Sequence, residues 1–98
     1  MSTTNAIGRR KTSIARVYLK KGKGKVLVNN RDLSNYFATA MLQYKVNQPF
    51  ALTDTLGKYD VKVSVVGGGV TGQAEAIRLG ISRALLILNP DFRATLKP

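Results

Sequence analysis

Residues 65–80 read VVGGGVTGQAEAIRLG. Three adjacent glycines, Gly67, Gly68 and Gly69, sit between two strongly patterned segments. Before them, Tyr59, Val61, Val63 and Val65 alternate with Asp60, Lys62 and Ser64. That period of two predicts a strand with one buried face. After them, Ala74, Ile77, Ile81, Leu85 and Leu88 recur at helical spacing and predict a long helix with one apolar stripe. Thr71 is the expected cap of that helix, and Asn89-Pro90 its stop. The unit is strand, glycine turn, helix.

Read literally, Gly67, Gly69 and Gly72 make a G-x-G-x-x-G in the setting where a dinucleotide fingerprint is credible. A dinucleotide site also needs a following strand that carries an acid for the ribose. Asp91 has the right distance but lies in NPDF, a helix-stop sequence. The phosphate-loop pattern fails as well, because Gln73 and Ala74 stand where Lys and Ser or Thr belong. A tight turn needs only one or two glycines. Three remove every Cβ and let a large partner approach the backbone. The N–H groups and dipole at the helix start then favour an anion, and Gln73, Arg78 and Arg83 extend that contact. A nucleic-acid backbone meets these requirements without a catalytic residue.

Composition points the same way. Sixteen Lys and Arg against five Asp and Glu give a net charge of +11 over 98 residues. Such a field attracts polyanions, with nucleic acid the first candidate. The chain has no Cys and no His, and its five acids are scattered. No catalytic residue, metal site or cofactor is expected. No apolar run nears the roughly 20 residues that span a bilayer, so no membrane partner is expected. The length and the 44% hydrophobic content suit one domain over residues 1–98 with a modest core. The reading is a cytoplasmic protein with no homo-oligomer.

Toward the amino terminus, Ala15, Val17 and Leu19 alternate with Arg16, Tyr18 and Lys20. The glycines of KKGKGK and the short apolar run Val26–Val28 follow, and a β-hairpin is the economical expectation. A short helical piece is expected before Phe37. A helix capped by Thr39 is expected to end near Gln48, with Pro49 opening a second one that packs Phe50, Leu52 and Leu56 inward and stops at Gly57. Tyr36, Phe37 and Tyr44 read as packing residues, which argues for phosphate and shape recognition of folded RNA. The basic candidates for RNA contact are Arg9, Arg10, Lys11, Arg16, Lys20, Lys21, Lys23 and Lys25, with Tyr18 free to stack or to pack beside a ribose. Residues 1–11 are expected to form a mobile basic arm.

Two blocks carry a resemblance. IGRRKTSIARVYLKKGKGKVLVNNRDLSNYF, residues 7–37, resembles the start of the bacterial family of small-subunit ribosomal protein nine. GGGVTGQAEAIRLGISRAL, residues 67–85, resembles its signature through Gly67, Gly68, Gly69, Gly72, Gln73, Ala76, Arg83, Ala84 and Leu85. The resemblance covers essentially the whole chain. It implies an α/β, two-layer α+β fold like the second domain of ribosomal protein five, a small sheet backed by helices with a left-handed crossover. It implies a structural role in the small ribosomal subunit and contact with ribosomal RNA and neighbouring proteins in the head. By position, those RNA contacts fall on Gly8, Arg9, Arg10 and Lys11, on the basic hairpin, and on the glycine turn with the helix after it. The family's very basic carboxyl-terminal tail, which reaches peptidyl-site transfer RNA, is lacking here, so that contact is expected only where a tail exists. The alternatives are a nucleotide-binding enzyme using the Gly67–Gly72 turn and a generic basic DNA-binding protein.

Overall fold

The computed structural model describes residues 3–96. The alternating segment before the glycines is a strand, Tyr59–Val66, whose Val61, Val63 and Val65 are buried. It occupies the middle of a five-stranded sheet. In chain order the strands are β1 (Thr4–Arg10), β2 (Ser13–Lys21), β3 (Val26–Val28), β4 (Arg31–Asp32) and β5 (Tyr59–Val66). Their order across the sheet is β1-β2-β5-β3-β4. The helices are α1 (Leu33–Tyr36), α2 (Ala40–Leu52), α3 (Val70–Leu88) and α4 (Arg93–Leu96), with one turn of 3-10 helix at Pro90–Phe92.

The hairpin expected across KKGKGK does not form. β5 lies between β2 and β3, antiparallel to β2 and parallel to β3. The physical reason is length: β5 pairs eight residues of β2, from Ile14 to Lys21, whereas β3 offers only three. The lysine–glycine stretch is therefore a crossing loop at the sheet end. The true hairpin is β1–β2, closed by Lys11 and Thr12, with Arg10 opposite Ser13. Lys11 takes φ +56°, which suits the twist of a two-residue hairpin turn.

That hairpin corrects the expected arm. From Thr4 onward the residues form a strand, and residues 1 and 2 lie outside the described residues. The anchor is contact of backbone with backbone. A Cβ on Gly8 would overlap the Ala76 carbonyl oxygen and come within 2.5 Å of the Gly80 nitrogen. β1 thus rests directly on α3, with Ala6 against the core. A strand held through a missing side chain leaves no apolar signal in the sequence.

Helix α3 lies on β1, β2 and β5, and α2 packs against α3 with Val46 and Phe50 in the same core, which gives an α+β two-layer fold. Ala74, Ile77, Ile81 and Leu85 are buried on α3 as the stripe predicts, while Leu88 is exposed. Ala76, Gly80 and Ala84 widen the buried surface, because α3 contacts α2 as well as the sheet. Removing a residue such as Ile81 from this layer costs about 2–5 kcal/mol in comparable cores.

Helix α2 is capped by Thr39, whose Oγ1 accepts from the Leu42 N–H at 3.4 Å. It then runs through Pro49 instead of ending before it. Pro49 falls in the last turn, where the helix loses one hydrogen bond and closes immediately afterwards. Thr53 donates from its N–H and its hydroxyl to the Pro49 carbonyl at 3.1 and 2.9 Å. Phe50 is buried as expected, but Leu52, Leu56 and Tyr44 are exposed. Phe37 is buried, and Tyr36 packs against the core edge-on to it.

Candidate nucleic-acid interface

The glycine turn is built by steric exclusion. Gly67 and Gly68 take φ +81° and +64°. A Cβ on Gly67 would overlap the Thr12 carbonyl oxygen, and one on Gly68 the Ser13 hydroxyl. Two of the three glycines are therefore demanded by the fold itself. Gly69 is different: it has an ordinary φ of −96°, it caps α3 in place of the expected Thr71, and a Cβ there would meet nothing within 4 Å. Its missing side chain leaves the start of α3 open to solvent.

A relay of polar side chains locks the turn. Ser13 Oγ and Gln73 Nε2 both donate to the Gly67 carbonyl, at 3.0 and 3.1 Å. Gln73 Oε1 accepts from the Tyr36 hydroxyl at 2.7 Å. Asn29 Oδ1 accepts from the Val65 N–H, and Asn29 Nδ2 donates to the Val65 carbonyl, at 2.9 and 3.0 Å. Gln73 is thus a brace for the turn. Asn29, Ser13 and Tyr36 share that work, and no local sequence pattern marks them.

The β1–β2 hairpin brings its tip to this turn. Arg10, Lys11, Thr12 and Ser13 share a concavity of about 310 Å³ with Gly68, Gly69, Thr71, Gly72 and Glu75. The two candidate segments, separate in the sequence, meet here. Glu75 is the acid at the rim, and it is neutralised: its carboxylate pairs with Lys45 at 2.6 Å and with Arg78 at 2.8 Å. Those bonds, Lys45 first, hold its carboxyl below the ordinary glutamate value. The two hairpin cations have no carboxylate partner, since both ion pairs among the described residues involve Glu75.

The pairing pattern scatters the other candidates. Arg9 follows buried Gly8 and so faces the side of the sheet away from the helices, together with Arg16 and Lys20. Gly8 itself is packed against α3. Arg78 is engaged by Glu75, and Arg83 Nη1 donates to the Ile7 carbonyl at 2.9 Å, tying α3 to β1. Lys20, Lys21, Lys23 and Lys25 lie at the far end of the sheet, about 25 Å from the glycine turn along β5 at ~3.3 Å per residue.

That far loop is organised by an acid. The N–H groups of Lys23, Gly24 and Lys25 all donate to Asp60 Oδ1, at 3.0, 3.2 and 3.0 Å. These backbone bonds, from Lys25 first and then Lys23, hold the Asp60 carboxyl below its ordinary value. The lysine side chains are left to fan outward and are exposed. Among the described residues no group of three or more potential ligands is placed to hold a metal ion, and no helix is long and apolar enough to cross a membrane.

Comparison with known proteins identifies the family. The family model for ribosomal protein S9/S16 matches residues 8–98. The chain is 55% identical over 98 residues to the small ribosomal subunit protein uS9 of Christiangramia forsetii, covering 100% of this chain and 77% of that one. It is 58% identical over 97 residues to the uS9 protein of Cytophaga hutchinsonii, covering 99% and 76%. It is 50% identical over 97 residues to that of Porphyromonas gingivalis, again covering 99% and 76%.

Proposed function

The chain belongs to the ribosomal protein S9/S16 family, and on that premise we propose that the hairpin tip and the glycine turn together form its principal docking surface for ribosomal RNA. The family is one of structural components of the small ribosomal subunit, part of the cytoplasmic ribosome in bacteria, and not of enzymes. Nothing here favours a nucleotide-binding enzyme or a DNA-binding protein.

The observation that carries the proposal is the meeting of Arg10 and Lys11 with the open start of α3, around a concavity whose acid is already paired. Phosphate oxygens are attracted there by two cations, by the helix dipole and by backbone N–H groups that Gly69 leaves uncovered. Backbone and phosphate contacts of this kind recognise the shape of folded RNA. Lys20, Lys21, Lys23 and Lys25 form a second electrostatic contact at the other end of the sheet, and Arg9 and Arg16 a third on its open face. Gly8, Gly67, Gly68, Gln73, Arg78 and Arg83 support these surfaces through their contacts to other parts of the protein. The site faces RNA in the head of the subunit, and the chain's remaining surface meets neighbouring head proteins.

The test is a salt titration of binding to small-subunit ribosomal RNA. Replacing Arg10 and Lys11 together with Ala is expected to flatten the slope of log affinity against log salt by about 1.4 to 1.8, at ~0.7 to 0.9 per lost phosphate contact. An unchanged slope would remove the proposal.

A further inference from the structure

The face of the sheet that the helices leave uncovered holds a second concavity, of about 320 Å³, lined by Tyr18, Lys20, Lys25, Leu27, Asp60 and Lys62 among others. Resting on the RNA reading above, we propose that this concavity takes a single unpaired ribonucleotide, with its base against Tyr18 and its phosphate among Lys20, Lys25 and Lys62.

The sheet register assembles the parts. Tyr18 stands opposite Lys62, and Lys62 opposite Leu27 on the next strand. Lys20 stands opposite Asp60. Cross-strand neighbours on one face are about 4.5–5.5 Å apart, and diagonal ones about 7–8 Å. Lys62 therefore lies between the tyrosine ring and Leu27, with Lys20 two residues along the strand from Tyr18 on the same face, all within the span of one nucleotide. Tyr18 is 38% exposed although its strand neighbours Val17 and Leu19 are fully buried, so its ring is presented to solvent.

This is the composition of a base-stacking platform on an open sheet, an aromatic face with cations at its rim. An RNA duplex has no base face to offer Tyr18, because its bases are stacked on one another. Asp60 adds direction. Its Oδ1 accepts three loop N–H groups, and among the described residues Oδ2 makes no hydrogen bond. A carboxylate at the rim repels phosphate and accepts from an exocyclic amino group, which adenine and cytosine carry and uracil lacks. The amino edge of a base on Tyr18 is expected toward Asp60, and the phosphate at the ammonium ends of the exposed lysines that surround that carboxylate.

The experiment measures binding of the full chain to oligoadenylate, to oligouridylate of equal length, to a blunt RNA duplex of equal charge and to small-subunit ribosomal RNA. Tyr18→Leu keeps an apolar side chain on the strand but removes the stacking face. It is expected to weaken oligoadenylate binding by roughly 5- to 150-fold, the equivalent of one lost base stack, with an unchanged salt slope. Tyr18→Phe is expected to bind nearly as the parent does. Lys62→Ala is expected to lower the slope by about 0.7, the single-strand value per phosphate. Oligoadenylate is expected to bind more tightly than oligouridylate, and Asp60→Asn to narrow that gap. Matching melting temperatures for the Tyr18 variants show that the fold is kept. If Tyr18→Leu binds oligoadenylate as the parent does, or if the duplex competes equally, the nucleotide site is wrong. If ribosomal RNA binding then still depends on Arg10 and Lys11, the docking surface stands without it. If the parent chain fails to bind ribosomal RNA at all, both readings fall.

Discussion

The two ends of the central sheet are both basic, both glycine-containing and both loops, yet they are held in shape by different forces. At the glycine turn, the backbone of residues 67 and 68 lies so close to Thr12 and Ser13 that side chains are excluded. At the lysine loop, three N–H groups converge on one carboxylate oxygen of Asp60. The first end is fixed by shape and by hydrogen bonds from the uncharged side chains of Ser13 and Gln73. The second is fixed by charge. A basic surface repels itself when crowded, so each end needs an internal device to hold its cations together. One device is steric, and the other is a single embedded acid.

The largest effect expected from breaking this contrast is at Gly67. Gly67→Val forces a branched residue into φ +81° and into the Thr12 carbonyl. A cost on the order of 3 kcal/mol follows from strain and overpacking together. Thermal unfolding should show a fall of roughly 12–24 °C, at ~4–8 °C per kcal/mol for a chain of this size. A melting point within a few degrees of the parent would mean that the turn is not sterically fixed.

A smaller effect, confined to one segment, is expected at Asp60. Asp60→Ala should speed amide hydrogen exchange at Lys23, Gly24 and Lys25, with little change at Gly67 and Gly68. Acid should do the same to the parent. The Asp60 carboxyl is held below its ordinary value of 3.8. Its contribution is therefore fully present above that value and is lost as pH falls through the lowered one. Glu75 follows the same sign relative to 4.5, so the Lys45 and Arg78 pairs also weaken only in acid. Loop protection that is flat from neutral pH to strongly acidic conditions would contradict the charge-held description.

The smallest effect is expected at Gly69. Gly69→Ala places a methyl group in open space, and it should change stability by less than about 1 kcal/mol. Its measurable consequence is on RNA, where the new Cβ stands between the partner and the start of α3. Melting and binding measured side by side sharpen the comparison. Unchanged melting with weaker binding assigns Gly69 to the partner, whereas unchanged binding leaves the α3 start out of the interface.

Much of this was legible in residue order, because burial on one face imposes a period. The alternation at Thr12–Lys20 and Tyr59–Val65 named two strands, and the stripe from Ala74 to Leu85 named the helix that covers them. The net charge and the two family blocks named the kind of partner. What stayed hidden depended on which strand lies beside which. β1 carries no alternation to read, since it is held by the absence of a side chain at Gly8. The hairpin across KKGKGK was the locally economical choice, but a loop sequence does not show that a longer strand from thirty residues downstream will come between its arms.

The sequence by itself determined the elements, their buried faces and a surface fit for a polyanion, since hydrophobic period and net charge are properties of the chain. Only the tertiary structure decided which cations act together. The strand period sends Arg9 and Arg10 to opposite faces of the sheet, the β1–β2 turn carries Lys11 to the glycines, and Glu75 and the Ile7 carbonyl engage Arg78 and Arg83. Electrostatic contact depends on distance in space, and in this chain the residues that share a surface are separated by more than fifty positions in sequence, as Ser13 and Gly67 are.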